Sequence, residues 1–205
     1  MNKNFTPWTL AELNVFLTHA INHRLYFFFR LSAFTGARRG ELLALKWLDF
    51  DGKAITISAS RGKLGEKSST KGGHGQCRVP LDPETIAQFN AHRKRQYEER
   101  LVLGENWQET GYVFVQENGV PLDAGTPSYL FRKLAKQAGL RLVRLHDQRH
   151  LHATELLRLG EPLHVVANRL GHRDAMVTAT IYAHVTSEQA ETASTRFADA
   201  SAKAT

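Results

Sequence analysis

The sequence predicts a mainly helical α+β domain with a small antiparallel sheet near its N-terminal third. Helix-start and helix-stop signals enclose apolar segments along most of the chain, and this pattern is typical of consecutive helices. Apolar residues alternate with polar ones only between about residues 53 and 81, which indicates strands. With 205 residues, the chain is long enough for one domain with a hydrophobic core, or for two small ones.

The first three helices follow from caps and apolar content. Thr9 and Glu12 form a capping box, which predicts a helix to about Ala20. The segment "HRLYFFFRLSAF" predicts a buried helix that ends near Gly36. The segment "RRGELLALKWLDF" predicts another short helix with its leucines turned inward.

The middle of the chain carries the predicted sheet. "KAITIS" and "QCRVPL" alternate like strands, and the polar, glycine-rich segment "SRGKLGEKSSTKGGHG" between them is typical of an exposed loop. Asp82 as N-cap and Pro83 at the first helical position then predict a helix to about Val102. The pattern leaves "YVFV" open as a short strand or an extended buried segment.

Helices dominate the rest of the chain. One is expected from Pro127 to Gly139, where glycine ends it. Three more are expected, over residues 146–159, 162–170 and 175–184. Thr186 and Gln189 form a second capping box, which predicts an alanine-rich helix in the tail.

Composition excludes several classes of protein. No apolar segment reaches the ~20 residues of a membrane span, and the N-terminus lacks a signal-peptide core. The single cysteine, Cys77, rules out an intramolecular disulfide and fits a reducing compartment, so we expect a cytoplasmic protein. The formal net charge of +7 favours an anionic partner, with nucleic acid as the leading candidate.

The segment "LVRLHDQRHLHAT" is rich in histidine and arginine, and metal binding is the first alternative to consider. His146, His150 and His152 are not accompanied by a carboxylate in metalloprotease spacing, and the surrounding basic groups oppose a cation. We therefore expect no metal and no cofactor. Arg149 lies three residues after His146, so one helical face can present both to an anion.

Four segments, in this order, resemble motifs of the tyrosine recombinases, also called phage integrases. "TGARRGELLALKW" resembles the first arginine motif of that family, and "TKGGHGQCRVPL" resembles its lysine hairpin. "LHDQRHLHAT" resembles the His-x-x-Arg motif, and "RLGHRDAMVTATIYAHV" resembles the segment with the closing histidine and the tyrosine nucleophile. The resemblance extends from about Thr9 to Val185 and implies the catalytic-domain fold of this family.

The resemblance implies a cleavage site made of six residues: Arg38, Lys71, His146, Arg149, His172 and Tyr182. The two arginines would clamp the non-bridging oxygens of the scissile phosphate, as charged guanidinium groups do well. Tyr182 would attack phosphorus and leave a 3′-phosphotyrosyl bond and a free 5′-hydroxyl.

The other site residues would handle protons and orientation. Lys71 would protonate the leaving oxygen, although Lys63 and Lys67 lie in the same loop and the lysine assignment stays open. His146 would assist proton transfer at the tyrosine, and His172 would hydrogen-bond the phosphate. Glu41 would orient site residues from behind them.

Two departures from the family pattern are Gln148, where an apolar residue is usual, and Ala37, where a larger one is common. We expect both to be tolerated in packing. His150 is expected to be structural, and His152 to be packed or solvent-facing.

The expected domain organisation is a catalytic domain over residues 1–185 and a C-terminal tail over residues 186–205. The N-terminal helical domain with which family members close around DNA is expected to be absent from this chain. The tail, with Phe197 as an anchor, is expected to be exchanged between subunits of a homotetramer on double-stranded DNA, with a monomer in solution.

Two alternatives to a site-specific recombinase remain open from the sequence. A type IB topoisomerase would use the same chemistry without exchanging DNA partners. A non-catalytic basic DNA-binding module would need the charge but not the ordered tyrosine, histidine and lysine residues.

Overall fold

A computed structural model of the chain describes residues 6–68, 76–171 and 201–202. Its helices over these residues are α1 (Leu10–Ala20), α2 (Tyr26–Thr35), α3 (Arg39–Ala44), α4 (Pro83–Leu103), α5 (Thr126–Gln137), α6 (Asp147–Arg158) and α7 (Leu163–Leu170). Its strands are β1 (Ala54–Ile57), β2 (Ala59–Gly62), β3 (Gly65–Ser68) and β4 (Cys77–Pro80). The predicted fold class, mainly helical with antiparallel strands, is confirmed.

Local sequence explains where the first helices begin and end. The Thr9 hydroxyl accepts from the Glu12 amide, and the Glu12 carboxylate accepts from the Thr9 amide, so the predicted capping box starts α1. Gly36 has a φ of 67° and ends α2 in the left-handed conformation that favours glycine. This sharp stop turns the chain directly into α3.

The strands differ from the prediction in one respect. β1 pairs with β4 in antiparallel register, with Ile55 opposite Val79, as the alternation predicted. The segment from residue 60 to 75 was predicted to be an exposed loop, and that prediction is wrong for residues 60–68. There β2 and β3 form a second antiparallel pair, so the described part of the chain contains two two-stranded sheets.

Side-chain anchors explain the second hairpin. The Arg61 guanidinium donates to the carbonyls of Leu43 (3.0 Å) and Leu122 (2.6 Å). The Tyr112 hydroxyl donates to the Glu66 carboxylate on the opposite strand. Long-range contacts of this kind cannot be recognised in a polar, glycine-rich sequence, so composition alone suggested a loop.

The structure also shows the secondary structure of two other segments. The predicted third helix ends at Ala44, and a separate 3₁₀ turn covers Trp47–Asp49. "YVFV" is an extended buried segment: Tyr112 and Val115 form isolated bridges, and Val113 to Val115 are buried.

The core is aromatic and lies between α1, α2, α4 and α5. Its largest fully buried side chains include six phenylalanines: Phe16, Phe28, Phe29, Phe89, Phe114 and Phe131. Burial of each ring stabilises the fold by about 1.5–3 kcal/mol. α2 packs in this core, and the turn after its C-terminal end leads to Arg38 at the start of α3. Within the described residues, no helix has both the length and the apolar character needed to cross a membrane.

Candidate active site

Arg38 stands at the corner between α2 and α3. Its backbone N–H donates to Glu41 Oε2 (2.7 Å), and its guanidinium donates to Glu41 Oε1 (2.6 Å). The Arg38 side chain is 45% exposed, whereas that of Glu41 is only 13% exposed. Glu41 therefore lies behind Arg38 and holds its guanidinium at the surface.

Arg149 lies on α6 and is buried, with 5% of its surface exposed. Its guanidinium donates to the carbonyl of Gly36 (2.8 Å) and to that of Leu170 (2.6 Å). One side chain thus joins the end of α2, the first turn of α6 and the end of α7. Among the described residues, these two bonds orient the guanidinium and use two of its five N–H groups.

A buried carboxylate sets the start of α6. Asp147 is 1% exposed, and its carboxylate accepts from the Arg144 backbone N–H (2.7 Å) and from the Arg144 guanidinium (2.8 Å). An acidic group in the first turn also suits the helix dipole. Asp147 therefore has a structural role, and it places His146 immediately before the helix.

Electrostatics show that Arg38, His146 and Arg149 come together. Burial and, to a smaller extent, the positive charge of Arg38 lower the pKa of Arg149 to about 10, and the charge of Glu41 opposes this shift. Desolvation also lowers the pKa of His146, and the charges of Arg149 and Arg38 act in the same direction. The residue is nevertheless partly exposed. At neutral pH the site therefore presents two guanidinium cations beside a neutral imidazole.

His150 and His152, the other two histidines of this segment, occupy different environments. The His146 and His150 rings are 5.4 Å apart, edge to face. Burial lowers the pKa of His152 to about 4, and its Nε2 accepts from the Arg169 guanidinium (3.2 Å). His152 thus belongs to the packing of the site, which was one of its two predicted places.

This arrangement is suited to a phosphate ester. Two like charges held close together repel each other, and a bound dianionic or monoanionic phosphate relieves that repulsion. Fixed cations also stabilise the charge that grows on phosphoryl oxygens in a transition state. A neutral imidazole beside them can accept or relay a proton.

Three of the six predicted site residues, Lys71, His172 and Tyr182, lie outside the described residues, as does the predicted helix over 175–184. The structure brings Arg38, His146 and Arg149 together, with Glu41 in contact with Arg38. The described chain ends α7 at Leu170, with Gly171 in the left-handed conformation at a φ of 63°.

Sequence reasoning missed two residues that pack against the site. The Cys77 thiol on β4 donates to the Asn168 carbonyl (3.2 Å), and burial raises its pKa. Arg169 on α7 contacts α2, α6 and β4. The sequence carries no signal for Cys77, and for Arg169 the only hint is its place three residues before His172. Among the described residues, no group of three or more His, Cys, Asp or Glu side chains could hold a metal ion.

Comparisons with known proteins identify the family of this chain. The model of the phage integrase family matches residues 4–189. A tyrosine recombinase XerC-like protein of Caldanaerobacter subterraneus subsp. tengcongensis is 36% identical over 184 residues, which cover 82% of this chain and 47% of that protein. The ICEBs1 integrase of Bacillus subtilis is 27% identical, with 89% of this chain and 51% of the relative covered.

A solved structure supports the fold. The Tn1549 transposon integrase in complex with transposon right end DNA matches with a TM-score of 0.81 and 21% identity, over 97% of this chain and 69% of that one. At this identity the likeness establishes the fold alone. The chain spans about half the length of the curated relatives it matches. The arginine pair, the ordered motifs and the family match together place this chain in the phage integrase family of tyrosine recombinases.

Proposed function

We propose that this chain cleaves and rejoins DNA strands at specific sites through a covalent 3′-phosphotyrosyl intermediate. The observation that carries the proposal is the pairing of Arg38 with the buried Arg149 beside His146. The phage integrase family match supports it. The proposed partner is double-stranded DNA, with a homotetramer as the assembly that exchanges strands.

The proposed reaction is a transesterification with two half-reactions. The Tyr182 oxygen attacks the scissile phosphorus, the bond from phosphorus to the 5′-oxygen breaks, and a bond from phosphorus to tyrosine forms. The phenol proton passes towards His146, and the departing 5′-oxygen takes a proton from Lys71. Attack by a 5′-hydroxyl of a second strand reverses these steps. The ester bond is conserved, so the reaction needs no added energy source.

The two arginines have separate duties in this scheme. Arg149 is fixed by protein carbonyls and provides a rigid contact to one non-bridging oxygen. Arg38 is half-exposed, and within the described residues its guanidinium is held through Glu41, so it can adjust to the second oxygen. His172 is proposed to donate a hydrogen bond to the same phosphate.

A suicide substrate tests the proposal. Nicked duplexes with randomised core sequence are incubated with the chain, and covalent protein–DNA adducts are separated under denaturing conditions and sequenced. We expect an adduct with a defined sequence and a free 5′-hydroxyl. Tyr182→Phe serves as the matched control, because it keeps DNA binding and removes the nucleophile.

The other outcomes distinguish the alternatives. Absence of an adduct at concentrations where the chain binds DNA would contradict the proposal and favour a DNA-binding module. Adducts without sequence preference, together with relaxation of supercoiled DNA and no recombinant products, would indicate topoisomerase-like activity.

A further inference from the structure

Arg169, in the last turn of α7, joins three other elements of the site through one guanidinium. Its Nε donates to His152 Nε2 on α6 (3.2 Å). One terminal nitrogen donates to the carbonyl of Phe34 on α2 (3.1 Å) and to that of Pro80 at the end of β4 (3.3 Å). Burial lowers the pKa of Arg169, which shows that this cation is substantially withdrawn from water.

These contacts lie directly behind those of Arg149. Phe34 precedes Gly36 by two residues, and the Gly36 carbonyl accepts from Arg149. The neighbouring residue of Arg169, Leu170, supplies the other carbonyl that Arg149 binds. Arg149 thus runs from α6 to α2 and α7, while Arg169 runs from α7 back to α2 and α6. Both side chains therefore connect α2, α6 and α7 where these helices meet, Arg149 from α6 and Arg169 from α7.

We propose that Arg169 is a positioning residue for DNA cleavage, which fixes the Gly36 and Leu170 carbonyls and thereby the guanidinium of Arg149. This inference rests on the proposed function of the site. The hydrogen bonds of Arg169 go to protein groups on three elements of the site, so we expect its effect to fall on the rate of the chemical step. DNA affinity is expected to change little.

The protonation state of His152 supports this role. The Arg169 Nε–H needs an acceptor, and His152 Nε2 accepts only while it carries no proton. Burial lowers the pKa of His152 to about 4, and the charge of Arg169 acts in the same direction. The imidazole is therefore neutral at physiological pH and keeps the bond.

Close packing adds a second reason why this corner tolerates little movement. A Cβ atom at Gly36 would lie 2.4 Å from Leu170 Cδ2 and 3.1 Å from His152 Cδ2. Gly36 and Leu170, whose carbonyls Arg149 binds, thus pack closely with His152, which accepts from Arg169. Displacement of any one of them moves the others, and the Arg149 guanidinium moves with them.

Arginine is suited to this place, and lysine is a partial substitute. A guanidinium reaches several acceptors at once from one planar group. A lysine ammonium at the same position can reach one or two of the three acceptors. We therefore expect Arg169→Lys to fall between the wild type and Arg169→Ala.

The test compares these variants with Arg100→Ala. That control also removes one arginine. Arg100 forms an ion pair with Glu109 at 2.7 Å, and the side chains of both residues are exposed. Single-turnover formation of the covalent adduct is measured on the suicide substrate, and DNA affinity is measured separately by gel shift. We expect cleavage about 100-fold slower for Arg169→Ala and about tenfold slower for Arg169→Lys, because small misplacements of catalytic groups have effects of this size. We expect affinity to stay within about twofold of the wild type, and Arg100→Ala to match the wild type.

Nuclear magnetic resonance of the histidine and guanidinium nitrogens gives a readout that does not depend on activity. In Arg169→Ala, the pKa of His152 should rise from its lowered value, and the guanidinium protons of Arg149 should exchange faster with solvent. The contrary result is an Arg169→Ala variant that is less stable but cleaves at the wild-type rate, with unchanged solvent exchange of the Arg149 guanidinium protons. That result would show that Arg169 only stabilises the fold, and it would overturn the inference. A wild-type chain that forms no adduct would overturn the proposed function itself, which is a distinct result.

Discussion

Substitution of Gly36 by alanine should destabilise the chain in two separable ways. The φ of 67° at Gly36 is left-handed, and a residue with a Cβ loses about 1–2 kcal/mol there. The added Cβ would also lie 2.4 Å from Leu170 Cδ2, and overpacking of this kind costs about 1–3 kcal/mol. The sum is a loss of about 2–5 kcal/mol in the free energy of unfolding, which urea denaturation at neutral pH can measure.

Gly139 provides a matched control for this measurement. Its φ is 71°, nearly that of Gly36, and a Cβ there would meet nothing within 4 Å. Gly139→Ala should therefore show only the backbone cost, and the difference between the two variants isolates the steric cost at the site. Equal losses in both variants would refute the claim that Gly36 is packed tightly against α6 and α7.

Three further predictions concern neighbouring residues. Gln148 is 2% exposed, and neither amide atom has a hydrogen-bond partner within the described chain; Gln148→Leu should raise the free energy of unfolding by about 1–3 kcal/mol in urea denaturation. Hydrogen bonds from Arg141 hold the pKa of Glu12 at about 2, so this carboxylate stabilises the fold above pH 4.5 and stabilises it less as the pH falls towards 2. Between pH 5 and pH 3, the wild type should therefore lose up to about 1 kcal/mol more free energy of unfolding than Glu12→Gln, as measured by urea denaturation at each pH. Arg149→Lys should lower both thermal stability and adduct formation, the latter by about 100-fold, because a compact ammonium lacks the planar fork whose two terminal nitrogens bind two separate carbonyls.

Each of these three has an outcome that would contradict it. Unchanged or lower stability in Gln148→Leu would mean that the amide is satisfied in solution. Parallel acid profiles for Glu12→Gln and the wild type would show that the ion pair with Arg141 contributes nothing. Wild-type adduct formation by Arg149→Lys would remove Arg149 from the proposed chemistry.

The sequence was sufficient for the features that depend on local signals. The Thr9 capping box and the glycine stop at residue 36 are each encoded by a few adjacent residues, and both were predicted. The pairing of β1 with β4 followed from alternation of apolar residues. The family motifs indicated Arg38, His146 and Arg149 because their residue types and order are distinctive.

Features that depend on long-range contacts were not accessible in this way. The hairpin of β2 and β3 is anchored by Arg61 and Tyr112, which contact groups far away in sequence. Arg169 looks like an ordinary basic residue near a helix end until its acceptors on α2 and β4 are known. The buried Gln148 likewise follows from how α6 packs and not from any pattern in the sequence.

The dependence of Arg149 on two distant carbonyls has a consequence for the chain as it leaves the ribosome. Gly36 is synthesised before Arg149, and Leu170 after it. A nascent polypeptide that lacks its seventh helix can form only one of the two bonds that orient the guanidinium. The contacts that orient the Arg149 guanidinium can therefore be completed only after α7 has been synthesised.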